Sequence, residues 1–151
     1  MDRRNLMAGG AALALTALSQ ASRAADDPHA HHHGHGTAAG AAVHAALVKS
    51  AADCVVTGQA CLAHCLVLLA DGDKAMAACA QSVNQMLAMC GALQSLAGQT
   101  SKYTPALAKV VLDVCVDCEK ECKKHADKHA ECKACAQACA ECIKACKTVS
   151  T

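Results

Sequence analysis

The stretch Glu131-Cys132-Lys133-Ala134-Cys135-Ala136-Gln137-Ala138-Cys139-Ala140-Glu141-Cys142-Ile143-Lys144-Ala145-Cys146-Lys147 decides the fold. Its five cysteines recur at steps of three, four, three and four residues, the spacing of one face of an α-helix. Nearly all the residues between them are strong helix formers, with no Gly or Pro to break the run. An ordinary bundle helix carries Leu, Ile or Val at such positions. Here sulfur stands where an apolar core belongs.

The same pattern extends towards the N-terminus. A segment starting at Thr104-Pro105 places Leu107 or Ala108, Val111, Cys115, Cys118 and Cys122 on one stripe, which continues in register through His125 and His129 to Cys132. One helix from Thr104 to Lys147 would be about 66 Å long, too long a rod to cover its own thiol face. A break is therefore expected between Lys124 and His129, with His125 and His129 beside it facing solvent. Before Thr104, which reads as an N-cap ahead of Pro105, Gly98 to Thr104 is turn-like. The segment Lys74 to Ala97 puts Met76, Cys79, Val83, Met86 and Cys90 on one face, continued by Leu93 and Ala97. The first segment, Ala41 to Ala70, aligns Val43, Leu47, Cys54, Cys61 and Cys65. Asp71-Gly72-Asp73 then supplies a stop and the next N-cap. Four helical segments with short connections, and no stretch with the period of a strand, predict an all-α fold: an antiparallel four-helix bundle with a cysteine-lined core over residues 41–151.

Composition sharpens this reading. Of 151 residues only Tyr103 is aromatic, so the side chains that usually dominate core energetics are missing. Thirteen cysteines stand in their place. A net charge of +1 with mixed signs leaves no footprint for nucleic acid or an anionic membrane.

The N-terminus has its own logic. Arg3-Arg4, a mildly apolar run from Ala8 to Leu18, and small residues at Ser22 and Ala24 form an export signal over residues 1–24, of twin-arginine type. The apolar run is about 11 residues, short of the roughly 20 needed to span a bilayer, so no membrane insertion of the mature chain is expected. Twin-arginine export carries folded proteins into the periplasm, so the thiols would meet metal in the cytosol before reaching an oxidising compartment. Residues 25–40, with His29, His31, His32, His33 and His35, lack the hydrophobicity to fold and read as a flexible tail. That tail is either a metal-catching arm or a solvated leader.

Thirteen thiols on helix faces admit several chemistries. Disulfides within a helix fail on geometry: neighbours at i+3 and i+4 have Cβ atoms about 5 to 6 Å apart, and a disulfide wants about 3.8 Å. Bridges between helices would leave one of an odd number of thiols over. The Cys-x-x-Cys pairs Cys115/Cys118, Cys132/Cys135 and Cys139/Cys142 lack the βαβ context of a thioredoxin-like site. None is followed by His, which excludes haem c attachment, and ferredoxin spacings are absent. Zinc would want closed sets of four ligands, into which thirteen thiols do not divide without bridging. Cu(I) is softer and thiolate selects it. One Cu(I) per thiolate also leaves the core near neutral, avoiding a desolvation cost of about several kcal/mol per ion.

At this point a resemblance is plain. Cys61-Leu62-Ala63-His64-Cys65, Met76-Ala77-Ala78-Cys79, Cys90-Gly91-Ala92-Leu93, Thr104-Pro105-Ala106-Leu107-Ala108-Lys109-Val110-Val111 and Glu131-Cys132-Lys133-Ala134-Cys135 resemble the copper storage protein family, over about Val43 to Lys147. The resemblance implies a four-helix bundle with a core filled by multiple Cu(I), a homo-oligomer, suspected to be a tetramer, and copper entry at one end past His and Met residues. His64 and Met76 match that entrance pair, while Leu68 and Asp71 stand where the family has methionines. Met86, on the cysteine stripe, is either a thioether ligand or core packing, and Met89 lies off the stripe as packing.

The sequence therefore reads as a non-enzymatic store or buffer of Cu(I), about one ion per cysteine, held for later supply to copper enzymes through a donor or recipient protein. The rival reading is a general soft-metal sink for Cu, Zn or Cd. No catalytic triad, paired-carboxylate site or phosphate loop is visible.

Overall fold

The computed structural model describes residues 38–150. The export signal of residues 1–24 and the tail histidines His29 to His35 lie outside the described residues. Four helices follow in order: α1 at Ala38–Ala70, α2 at Ala77–Gly98, α3 at Thr104–Lys123 and α4 at Ala130–Val149, with one 3-10 turn at Lys74–Met76 before α2. The described residues contain no strand. α1 begins at Ala38, inside the stretch expected to be a tail, where the alanines favour helix.

Each connection follows from local chemistry. Gly72 takes φ +95° and donates its N–H to Leu69 O at 3.1 Å, while Asp73 N–H bonds Leu68 O at 2.9 Å. These bonds satisfy the last carbonyls of α1, and glycine tolerates the φ they require. The Asp73 carboxylate accepts from Ala75 N–H at 3.1 Å, capping the 3-10 turn as expected. After α2 the same device uses a non-glycine: Thr100 sits at φ 49°, and Ser101 N–H reaches Leu96 O at 3.0 Å. Thr104 departs from expectation. It lies inside α3, with Tyr103 at the cap position and Pro105 in the first turn. The Thr104 hydroxyl is buried without a hydrogen-bond partner instead of capping.

The break between α3 and α4 falls where length demanded it. Lys124 N–H bonds Glu121 O at 3.2 Å and His125 N–H bonds Cys122 O at 3.0 Å, tightening the end of α3 into i→i+3 bonds. His129 is extended at φ −129°, ψ 112°, which ends the turn and redirects the chain into α4.

α1 packs side by side with α2 and α4, and α3 with the same two, while the diagonal pair α1 and α3 meets only through core thiols such as Cys54 and Cys115. The bundle is thus square in section. Cys54 meets Cys90 while Cys65 meets Cys79, Cys90 meets Cys115 while Cys79 meets Cys122, and Cys115 meets Cys142 while Cys122 meets Cys135, so successive helices run antiparallel. The core has two zones. Around the N-terminal half of α1 it is apolar, with Leu47, Ala51, Leu93, Ala97, Ala108 and Val111 fully or almost fully buried. Beyond Cys54 thiols predominate, with Met76, Val83 and Met86 from the α2 side fully buried among them. Each buried Leu or Val contributes roughly 1.5 to 3 kcal/mol, so apolar stabilisation is concentrated at one end.

Candidate metal centre

All thirteen cysteines, Cys54, Cys61, Cys65, Cys79, Cys90, Cys115, Cys118, Cys122, Cys132, Cys135, Cys139, Cys142 and Cys146, are fully buried and free of disulfides. The stripes read from the sequence therefore all turn inwards.

Sulfur lies against sulfur along the axis. Cys79 and Cys122 Sγ are 3.6 Å apart, Cys90 and Cys115 3.6 Å, and Cys61 and Cys132 3.7 Å. Cys118 lies 4.0 Å from both Cys122 and Cys135. All these spans exceed a disulfide bond of about 2.05 Å. Four groups of thiols have their sulfurs within 4.8 Å of one another: Cys54, Cys90, Cys115 and Cys142; Cys61, Cys65, Cys79 and Cys132; Cys61, Cys122 and Cys135; Cys118, Cys135 and Cys139. Shared members link the last three into one network. Cys146 joins through Cys142 at 4.0 Å, so every thiol has a sulfur neighbour that an ion could bridge.

Proximity also sorts the thiols by proton affinity. Hydrogen bonds from Cys122 and Cys61 bring Cys79 down to about 3. Those from Cys118, Cys122 and Cys139 bring Cys135 to about 5, and those from Cys115 and Cys139 bring Cys54 to about 6. Cys61 is lowered by Cys122 and Cys135, and Cys142 by Cys115 and Cys146. The partners move the other way. Cys122 is raised by its bonds to Cys118 and Cys135, Cys139 by Cys115 and Cys118, Cys90 by Cys115 and Cys146 by Cys142. Cys65 and Cys132, at the edge of the network, are raised chiefly by burial. Lowered and raised thiols thus lie side by side within each group.

The thiol end closes on a histidine group. His64, one residue before Cys65, puts Nε2 2.9 Å from Nδ1 of His129 and Nδ1 3.8 Å from Glu131 Oε2. The His125 ring lies 6.5 Å from that of His129. The expectation that His125 and His129 face solvent is therefore corrected: both are half-buried, because the turn 124–129 folds its last residue back over α1. Sequence reading missed His129 and Glu131 as neighbours of His64, since the pairing depends on a turn that carries no Gly or Pro. Met76 is fully buried at the entry to α2. Leu68 packs against the core and Asp71 is exposed. Met86 is fully buried, and Met89 is partly buried against the core.

Comparison with known proteins places this geometry. No curated protein matches the chain. Solved structures do. A cytosolic copper storage protein from Streptomyces lividans, in a structure described as carrying five coppers, is 25% identical with a TM-score of 0.67, covering 74% of this chain and 95% of its own. A second structure, of the copper storage protein Ccsp from Streptomyces lividans loaded with ten copper equivalents, is 26% identical with a TM-score of 0.65, covering 72% and 84%. Cu(I)-bound BsCsp3, the Bacillus subtilis copper storage protein, shares the fold at 22% identity and a TM-score of 0.64, covering 72% and 99%. The family model for copper storage proteins matches residues 40–151, the whole of the thiol-lined bundle, and on that match the chain belongs to the copper storage protein family.

Proposed function

We infer that the chain is a non-enzymatic store of Cu(I), holding about one ion per cysteine for later supply to copper proteins. One observation carries this: thirteen buried, unbridged thiols lie in sulfur contact along a single core. Each entering Cu(I) displaces a thiol proton or neutralises a thiolate, so a filled core stays near neutral in a medium that penalises net charge. Partly shared ligands leave ions at the exposed end open to exchange with an incoming thiol. The ligand set is the thirteen cysteines, with His64 and Met76 at the mouth.

A second reading rests on the four-thiol group Cys54, Cys90, Cys115 and Cys142, which matches the ligand number of a structural zinc site. Competition between Cu(I) and Zn(II) discriminates the two. The test of storage is an anaerobic Cu(I) titration of reduced protein against a chromogenic chelator, with free thiols counted before and after. Saturation near one ion per cysteine with all thiols protected supports the store, and saturation at a few ions rejects it.

Location and assembly belong to the same reading. Arg3-Arg4 and the run to Ala24 support export by the twin-arginine route to the periplasm, although a similar Streptomyces lividans protein is described as cytosolic. Fractionation of cells expressing the chain with Arg3 and Arg4 replaced by Lys tests the route. On the outer face of α1, Val56, Ala60, Ala63, Val67 and Ala70 form an exposed apolar stripe. Such a stripe suits a contact between copies and supports a homo-oligomer, a tetramer by family resemblance. Light scattering of a Val67→Lys variant tests it, and an unchanged mass rejects this face.

A further inference from the structure

Within the thiol core α2 contributes Val83 and Met86 between its thiols Cys79 and Cys90, all four fully buried. Starting from the group Cys54, Cys90, Cys115 and Cys142 and moving towards the His64 end, one turn along each helix reaches Gly58 on α1, Met86 on α2, Cys118 on α3 and Cys139 on α4. The steps are four, four, three and three residues, a rise of roughly 4.5 to 6 Å on each helix. These four residues therefore share a level. The packing bears this out across α1 and α2: a Cβ placed on Gly58 would stand 2.5 Å from the Met86 methyl carbon. The Met86 side chain occupies the space that the missing Gly58 side chain leaves.

The level faces an incomplete thiol group. Cys118, Cys135 and Cys139 gather from α3 and α4 only, whereas the group one level below draws one thiol from each helix. α1 supplies no side chain here, and α2 supplies a thioether. We propose that Met86 is a Cu(I) ligand, completing the Cys118, Cys135 and Cys139 group with a neutral thioether from the α2 side.

The chemistry suits the place. A thioether is a soft donor that Cu(I) accepts, and it adds no negative charge where three thiolates already crowd a dry core. Gly58 acquires a role as well: it leaves the notch that lets the Met86 terminus lie across the core instead of being forced aside. Any larger residue at position 58 meets Met86 and Leu87. The assignment rests on the Cu(I) storage reading and deepens it at one level of the core.

The test labels the full chain with selenomethionine, in a Met76→Leu background that silences the mouth methionine. The protein is loaded anaerobically with Cu(I) and read at the selenium absorption edge. A selenium–copper scattering path is expected, and it should vanish when Met86→Leu is added, a change that conserves core volume. Gly58→Ala, which displaces the methyl group, should reduce the path's amplitude. A fully loaded Met76→Leu protein without the path, or a path that survives Met86→Leu, overturns the assignment and leaves Met86 as packing. Copper counted on the same samples separates the two readings. Near-complete loading with no path rejects Met86 alone, whereas loading of only a few ions rejects the storage reading and this ligand with it.

Discussion

His64 and His129, 65 residues apart in the chain, share a hydrogen bond of 2.9 Å between Nε2 and Nδ1 at the thiol end of the bundle. One ring nitrogen donates and the other accepts, so the pair ties up a lone pair that a metal would need. On the proposed entry route copper would pass this pair on its way to Cys61, Cys65, Cys79 and Cys132, and binding at His64 Nε2 or His129 Nδ1 would break the bond.

The double variant His64→Ala/His129→Ala should slow Cu(I) uptake by roughly tenfold, equivalent to about 1.4 kcal/mol in the entry barrier. The final copper number should be unchanged, because no thiol is lost. Stopped-flow uptake from a weak Cu(I) complex measures both, and equal rates in parent and variant would remove the histidines from the entry route.

Proton release should vary through a titration. Cys79, Cys135 and Cys54, held at about 3, 5 and 6, are largely deprotonated at neutral pH and give up few protons to copper. Cys65, Cys90, Cys122, Cys132, Cys139 and Cys146, all raised, keep theirs until copper displaces them. The sign follows: lowering pH weakens the raised sites first, by about tenfold per unit for each proton displaced, or about 1.36 kcal/mol. A pH-stat titration should show fewer protons per ion for the first ions than for the last, and a constant ratio throughout would contradict the sorting.

Leu47→Ala should lower the stability of the apo protein by about 2 to 5 kcal/mol, since Leu47 is fully buried in the apolar zone. Its copper number should be unchanged, because the zone is one level or more from the nearest thiol group. Denaturant unfolding before and after loading reads both. Copper should restore part of the loss by mass action, so a midpoint that fails to rise on loading would count against binding in the core.

Gly72→Ala should cost about 1 kcal/mol or more, through backbone strain alone. Position 72 has φ +95° and open space around the added carbon, so no steric term complicates the reading. Thermal unfolding of the apo variant checks it, and an unchanged midpoint would mean that the turn relaxes without penalty.

Much of this arrangement is legible in the sequence because a step of three or four residues determines which side chains share a helix face. That rule alone places Cys132 to Cys146 on one stripe, and the structure buries all five. The start of α1 is less legible: an alanine-rich lead carries no boundary signal, and the helix begins at Ala38 rather than Ala41. Least legible are the meetings between helices. Cys61 beside Cys132, or His64 beside His129, depends on how far each turn displaces the next helix along the axis, and the turn 124–129 has none of the Gly or Pro chemistry from which such displacement is read. Thr104 shows the reverse error, a residue with capping chemistry drawn into the helix by the packing of its neighbours.

Leu47, Leu93 and Val111 fill one end of the core, and the His64–His129 pair lies at the other. With entry past the histidines, as proposed, the store would work as a queue in which the last ion to arrive is the first retrieved. Cys142 and Cys146, farthest from the histidines, would then hold a reserve that turns over only when the rest of the store has been drawn down.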